Sequence, residues 1–197
     1  MQRTKRKQAE QTATTPIAAT FPYRQVEAVL AKVFDAEDVQ QATLRAKLKH
    51  LRRSGLASTT PGTGGRVDYT LSDVFQLVLA LDLSQFGIDP VQIVKIVRNC
   101  WDAGAGVIFQ GLKPEDRDDV LAVVYAHCLD ASWGQRRMVQ KPGHIFSRGS
   151  PRSIWVEFVL AKKAIKELLP ALAEGEHLGL FNVSRQVRAV REYLAAL

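Results

Sequence analysis

The chain is poor in cysteine and in long apolar runs, and one long window lacks acid altogether. Two cysteines occur among 197 residues, with no CxxC spacing. That excludes a disulfide scaffold and a zinc ribbon. Cys100 and Cys128 both sit in apolar surroundings, so they are expected as buried free thiols. The longest apolar stretch, Val74–Leu83, is broken by Gln76 and Asp82 and is too short to span a bilayer. Met1–Lys7 is polar and basic, without the apolar segment of a secretory signal. A cytoplasmic location follows as the expectation, with no membrane partner.

Between Val39 and Val67 no acidic residue occurs, yet Arg45, Lys47, Lys49, Arg52, Arg53 and Arg66 all fall there. From Asp68 to Ile93 the pattern inverts: Asp68, Asp73, Asp82 and Asp89 appear without a lysine or arginine. The formal charge of +7 suits a polyanionic partner. This segregation, more than the sum, predicts opposite faces, one of them for nucleic acid.

Residues 1–20 carry Arg3, Lys5, Arg6 and Lys7 and then a Gln/Thr/Ala-rich stretch, which predicts a flexible basic arm. Structure is expected from Phe21. Val26, Leu30 and Val33 recur at helical spacing in Tyr23–Phe34, and Asp35–Asp38 reads as a break. A second helix is expected over Gln41–Ser54, with Leu44, Leu48 and Leu51 on one stripe and Gly55 as its stop. Arg45, Ala46, Lys49, Arg52 and Arg53 then face away from the leucines, and Lys47 lies near the stripe's edge. A helix anchored by leucines and cationic outside meets the needs of a major-groove reader.

Pro61, Gly62, Gly64 and Gly65 mark turns between short Ser/Thr and Val/Tyr stretches, which predicts a β-hairpin with Arg66 near its tip. The glycines do not open a phosphate-binding loop, because no GK[ST] begins a helix there. Thr70–Asp73 starts the next helix with a capping box, placing Val74, Leu77, Val78 and Leu81 on one face, and Gly87 ends it. Asp89-Pro90 then supplies a cap and a first-turn proline for a helix reaching Trp101.

The remaining half carries no motif of known chemistry. Val107–Phe109 and Ile154–Phe158 read as strands; Val120–His127 fits strand or helix. Val159–Leu172 reads as a helix with Ala161, Ile165, Leu168 and Leu169 inward. Ser184–Leu197 reads as another, capped by Ser184, with Val187, Val190 and Leu194 on one side. Glu115, Asp116, Asp118 and Asp119 are expected to start a helix rather than hold metal. His127, Cys128 and His144 match no metal-site spacing. Tyr125, Trp133 and Trp155 are expected in the core. Neither a metal, a cofactor nor catalytic machinery is predicted, so the chain reads as a non-enzyme.

Thr43-Leu44-Arg45, Gly65-Arg66-Val67-Asp68-Tyr69, Asp73-Val74 to Leu81, and Phe86-Gly87-Ile88 to Ile93 occur in an order that resembles the DNA-binding domain of MerR-family regulators. They also resemble a group of helix-turn-helix proteins of bacteria and phages with an LRxxLKHLxxxG helix and a GxGR…Y wing. The likeness covers residues 21–100. It departs in a longer basic helix before Gly55-Leu56, and in Gly104, Gly106, Gly111 and Pro114 where that family's coiled-coil helix would run. It implies a winged helix-turn-helix.

The expected fold is therefore mainly α with small β. A basic arm (1–20) precedes a winged helix-turn-helix domain (21–103) and a small α+β domain for dimerisation or partner binding (104–197). The expected DNA-binding residues are Gln41, Thr43, Arg45, Ala46, Lys49, Arg52 and Arg53 on the helix and Thr63, Gly65 and Arg66 on the wing. The expected activity is sequence-specific transcription regulation in a bacterial cytoplasm, associated with the nucleoid. The partners would be double-stranded DNA, a second copy of the chain, and RNA polymerase or another DNA-bound protein. The alternative is an excisionase-like accessory protein of a phage or mobile element; a nucleic-acid enzyme ranks lower.

Overall fold

The computed structural model describes residues 20–36, 38–56, 68–126, 154–164, 166, 168 and 178–197. The arm before residue 20, Thr63, Gly65, Arg66, His127, Cys128, Trp133, His144, Ile165 and Leu169 lie outside the described residues. The described chain is mainly helical, with two small antiparallel sheets.

A two-residue strand, β1 (Phe21–Pro22), leads directly into α1 (Tyr23–Val33). The predicted break follows, with Asp35 at φ 50°, a left-handed conformation that Asp tolerates better than most residues. The leucine-striped helix α2 (Asp38–Arg53) begins a turn earlier than its periodicity indicates. β2 (Asp68–Tyr69) pairs antiparallel with β1, Phe21 opposite Tyr69. The Val/Tyr stretch is thus held by residues just ahead of α1, a pairing too short to leave a periodic signal.

Helix α3 (Leu71–Gln85) starts as expected: Thr70 accepts from the Asp73 N–H, and the Asp73 carboxylate accepts from the Thr70 N–H. Its sequence predicts one apolar face, but every residue from Asp73 to Leu83 except Gln76 is buried. It is a central helix, wrapped by its neighbours. Gly87 follows it at φ 71°, where a side chain would be strained. Helix α4 (Pro90–Asp102) is capped by the Asp89 carboxylate, which accepts from the N–H groups of Val91 and Gln92. Cys100, in α4, is buried.

Val107–Phe109 is not a strand. It lies in α5 (Ala105–Gly111), opened by Gly104 at φ 100°. Ala105 and Phe109, one turn apart, are its buried pair, while Val107 is 77% exposed. Phe109 explains the outcome. Its ring centroid lies 5.7 Å from Phe75, 5.1 Å from Trp101 and 5.8 Å from Phe158, an aromatic cluster assembled from distant parts of the chain that no local pattern announces.

Val120–Ala126 forms β3, the middle strand of a sheet ordered β4-β3-β5, with β4 (Ile154–Leu160) and β5 (Leu178–Asn182) as antiparallel neighbours. A central strand has both faces covered, so the alternation that separates strand from helix is missing from its sequence. Ala122, Val124 and Val156 join the main core, whereas Val123, Tyr125 and Val159 pack on the opposite face with Ala164 and Leu168. On that face the Tyr125 hydroxyl donates to Glu157 Oε2 at 3.0 Å. Val159 and Leu160 belong to β4, so the helical stretch predicted from Val159 begins at residue 161.

The final helix, α6 (Val183–Ala195), buries Val187, Val190 and Leu194 as predicted, but its cap is Asn182, which accepts from the Arg185 N–H at 2.9 Å. Ser184 is buried instead, its hydroxyl accepting from the Val120 N–H at 2.8 Å. The acidic cluster starts no helix. Asp116 accepts from the Lys113 N–H, Asp118 pairs with Lys162, and Asp119 accepts from Asn182 and Arg188 at 2.8 and 2.7 Å. A local backbone N–H at Asp116, and tertiary cations and an amide at Asp118 and Asp119, hold these carboxylates in place of a helix dipole. Residues on both sides of position 103, from Phe21 to Leu194, contribute to one apolar core.

One buried acid sits within this core region. Asp82, on α3, is 5% exposed, and burial pushes its carboxyl up to about 7 despite a hydrogen bond from Gln186. The charged and titratable groups sharing its cleft are Lys32 from α1, Asp35 from the turn after it, and Arg185 and Tyr193 from α6. A folded-state value above the unfolded one favours the native state fully only below about pH 4, and that advantage is lost as pH rises through 7. Asp82→Asn is therefore expected to stabilise the protein by a few kcal/mol at pH 8 and hardly at all at pH 4. Thermal unfolding of both proteins across that range checks the crossover; parallel curves would refute it.

Candidate nucleic-acid interface

The three leucines of α2 point inward: Leu44, Leu48 and Leu51 are 6%, 3% and 3% exposed. Burying three such side chains contributes several kcal/mol, roughly 1.5–3 each, and it sets the rotation of the helix about its axis. Between Gln40 and Arg53 every other residue is exposed except Gln41, which is half-buried. Thr43, Arg45, Ala46, Lys49, Arg52 and Arg53 thus all reach the surface with Gln41 at its margin. Arg45, Lys49 and Arg53 fall at successive i, i+4 positions and form one row. Ala42 and Ala46 present only methyl groups beside that row, leaving space for close approach.

The cations differ in how they are held. Arg45 donates through Nε to Glu27 Oε1 on α1 at 2.5 Å, yet its side chain stays 60% exposed while Glu27 is 15% exposed. The hydrogen bond and then the charge of Glu27 raise the affinity of Arg45 for its proton. Lys47 extends toward α3, donating to Ser84 Oγ at 3.2 Å. Arg52 donates to the hydroxyl of the buried Tyr69 on β2. Lys49 and Arg53 have no ion-pair or hydrogen-bond partner among the described residues.

Glu27 and the two tyrosines are the part of this surface that the sequence did not single out. Glu27 is the one acid within α1, and a lone acid on a helix next to a basic one was the available signal. Tyr23 and Tyr69 have ring centroids 6.4 Å apart, linking α1 to β2. Burial raises both phenols, with the charge of Glu27 adding to the effect at Tyr23 and Arg52 opposing it at Tyr69. The end of α2 is tied down from α4: Arg98 donates to the Gly55 carbonyl at 2.6 Å. That bond satisfies a carbonyl left open after the helix end, and Gly55 itself sits at φ 89°.

Between α1 and the start of α2 lies an open groove of about 820 Å³ bordered by Tyr23, Glu27, Lys32, Gln41 and Arg45. Its walls mix acid and base, so the uniformly cationic surface is the outer row of α2 and not this groove. Among the described residues no group of three or more His, Cys, Asp or Glu side chains could hold a metal ion. No described helix is long and apolar enough to cross a membrane. No protein-family model and no curated protein matches this chain.

Spectrophotometric titration of the phenols tests the charge network. Glu27→Gln is expected to bring the ionisation of Tyr23 down toward its ordinary value, and Arg52→Met to move Tyr69 further up. If neither moves, the contacts among α1, α2 and β2 are not those described.

Proposed function

We propose that the chain is a sequence-specific double-stranded DNA-binding regulator that lays α2 in the major groove, within a winged helix-turn-helix. The observation that carries this reading is the division of α2 into a buried leucine stripe and an outer surface with cations and no acid from Val39 onward. The helix spans about 24 Å at 1.5 Å per residue, enough to follow several base pairs along a groove about 12 Å wide. Lys49 and Arg53 are unpaired among the described residues and serve phosphates. Arg45, oriented by Glu27, has its remaining guanidinium donors for a base edge, the arrangement that gives Arg its bidentate contact with guanine.

The β1–β2 pairing supports the wing. It fastens Tyr69, at the end of the segment carrying Thr63, Gly65 and Arg66, beside α1 and against Arg52. Tyr69, the described residue that follows that segment, thus lies beside Arg52 of α2. A single module of this size buries only about 600–1,000 Å² on DNA, so the reading includes two copies on adjacent half-sites. The likeness to MerR-type domains in motif order agrees with this assignment.

Selection of bound duplexes from a random pool, followed by titration, tests the reading. Arg45→Ala and Lys49→Ala should each weaken the selected site by about 1–3 kcal/mol. Arg53→Ala should weaken all sequences alike and flatten the salt dependence by about one unit. Unchanged affinity in folded variants would move the interface off α2. Sedimentation of a 1:1 complex on the full selected site would remove the dimer.

A further inference from the structure

A second cleft, which shares Lys32 and Asp35 with the groove beside α2, is lined in part by a buried acid. The cleft has a volume of about 550 Å³ and lies between the C-terminal end of α1, α3 and α6. That size falls within the range of small-molecule sites, roughly 300–1,000 Å³. Asp82, 5% exposed, lines it from α3, and Gln186 lines it from α6. Gln186 hydrogen-bonds the Asp82 carboxylate. Asp82 Oδ2 and Gln186 Oε1 are then left buried, with no hydrogen-bond partner among the described residues.

Two adjacent acceptors without donors are costly in a protein interior, and a buried carboxylate more so. Packing alone does not account for them, because an apolar pair of similar shape would fill the space at lower cost. Further out, Lys32 and Arg185 bring positive charge to the walls, with Asp35 and Tyr193 beside them. The Lys32 ammonium lies 5.3 Å from the centre of the Tyr193 ring.

We propose that this cleft binds a small molecule with a guanidinium or amidinium head seated on Asp82 and Gln186, and a carboxylate facing Lys32 and Arg185. A planar guanidinium offers several N–H donors in a fixed fork, matching paired acceptors better than a single ammonium does. Its charge supplies what a trapped water lacks, a counter-ion for the carboxylate. The head also restores ionisation to an acid that burial otherwise keeps partly protonated near neutrality, so binding releases a proton. The inference is independent of the DNA reading, since none of its contacts lies on α2.

Calorimetric titration of the full chain without DNA is the test, using L-arginine, agmatine and L-citrulline, whose neutral urea replaces the guanidinium. L-Arginine is expected to saturate one site, with agmatine weaker for want of a carboxylate and L-citrulline at least about tenfold weaker. Binding should tighten between pH 6 and 8, and heats in two buffers should report proton release. Asp82→Asn, expected to fold and to gain stability at pH 8, should weaken L-arginine about tenfold or more; Gln186→Leu should do likewise. No saturation by L-arginine or agmatine below about 10 mM, equal binding of L-citrulline, or unchanged binding in Asp82→Asn would each overturn the proposal. None of these outcomes bears on DNA affinity, so the two readings fail separately.

Discussion

Helix α3 has to be covered on every side, and most of the molecule can be understood as the means of doing so. Ten of its fifteen residues are buried, leaving little polar surface for solvent. Helices α2, α4 and α5 and strand β2 all pack against it. Burial on this scale, at about 25 cal/mol for each square ångström of apolar surface, is the dominant favourable term available to a chain of this size. It also explains why α2 can be so polar. With mean composition weighted to cations and glutamine, α2 contributes three leucines to the core and directs nearly everything else outward.

A buried Asp in the last turn of that helix is the exception that a purely structural account leaves over. The capping acids Asp73 and Asp89 each have backbone donors, Asp116 has the Lys113 N–H, and Asp118 and Asp119 have Lys, Arg or amide partners. Asp82 has one amide and a cleft. The contrast with these five acids, each met by a specific donor, locates chemistry more sharply than charge counting does.

The electrostatic design of the α2 surface depends on an unequal tethering of its cations. Arg45 and Arg52 are fixed in place by Glu27 and Tyr69, so their side-chain entropy is largely lost before any partner arrives. Lys49 and Arg53 remain free among the described residues. Preordered groups favour discrimination, and mobile ones favour tolerant charge neutralisation. The aromatic contacts of Phe109 and the bond from Arg98 to Gly55 keep the supporting helices in register from beneath.

The existence and inward face of α2 were legible because leucines at 44, 48 and 51 leave only one rotation that hides them all. The caps at Thr70 and Asp89-Pro90 were legible for a similar reason: each is a local hydrogen bond between residues two or three apart. The placement of seven α2 positions at or beside the surface follows from the same periodicity. What periodicity could not decide was α5 against a strand, β3 against a helix, or the cap of α6. Each of those depends on a partner distant in sequence: Phe158 for Phe109, the flanking strands for Val120–Ala126, and Val120 for Ser184. Amino-acid order alone thus determined which helix bears the basic face. Only the tertiary structure decided that Glu27 holds Arg45 and that Asp82 and Gln186 meet in a cleft, because those contacts form between segments that neighbouring residues say nothing about.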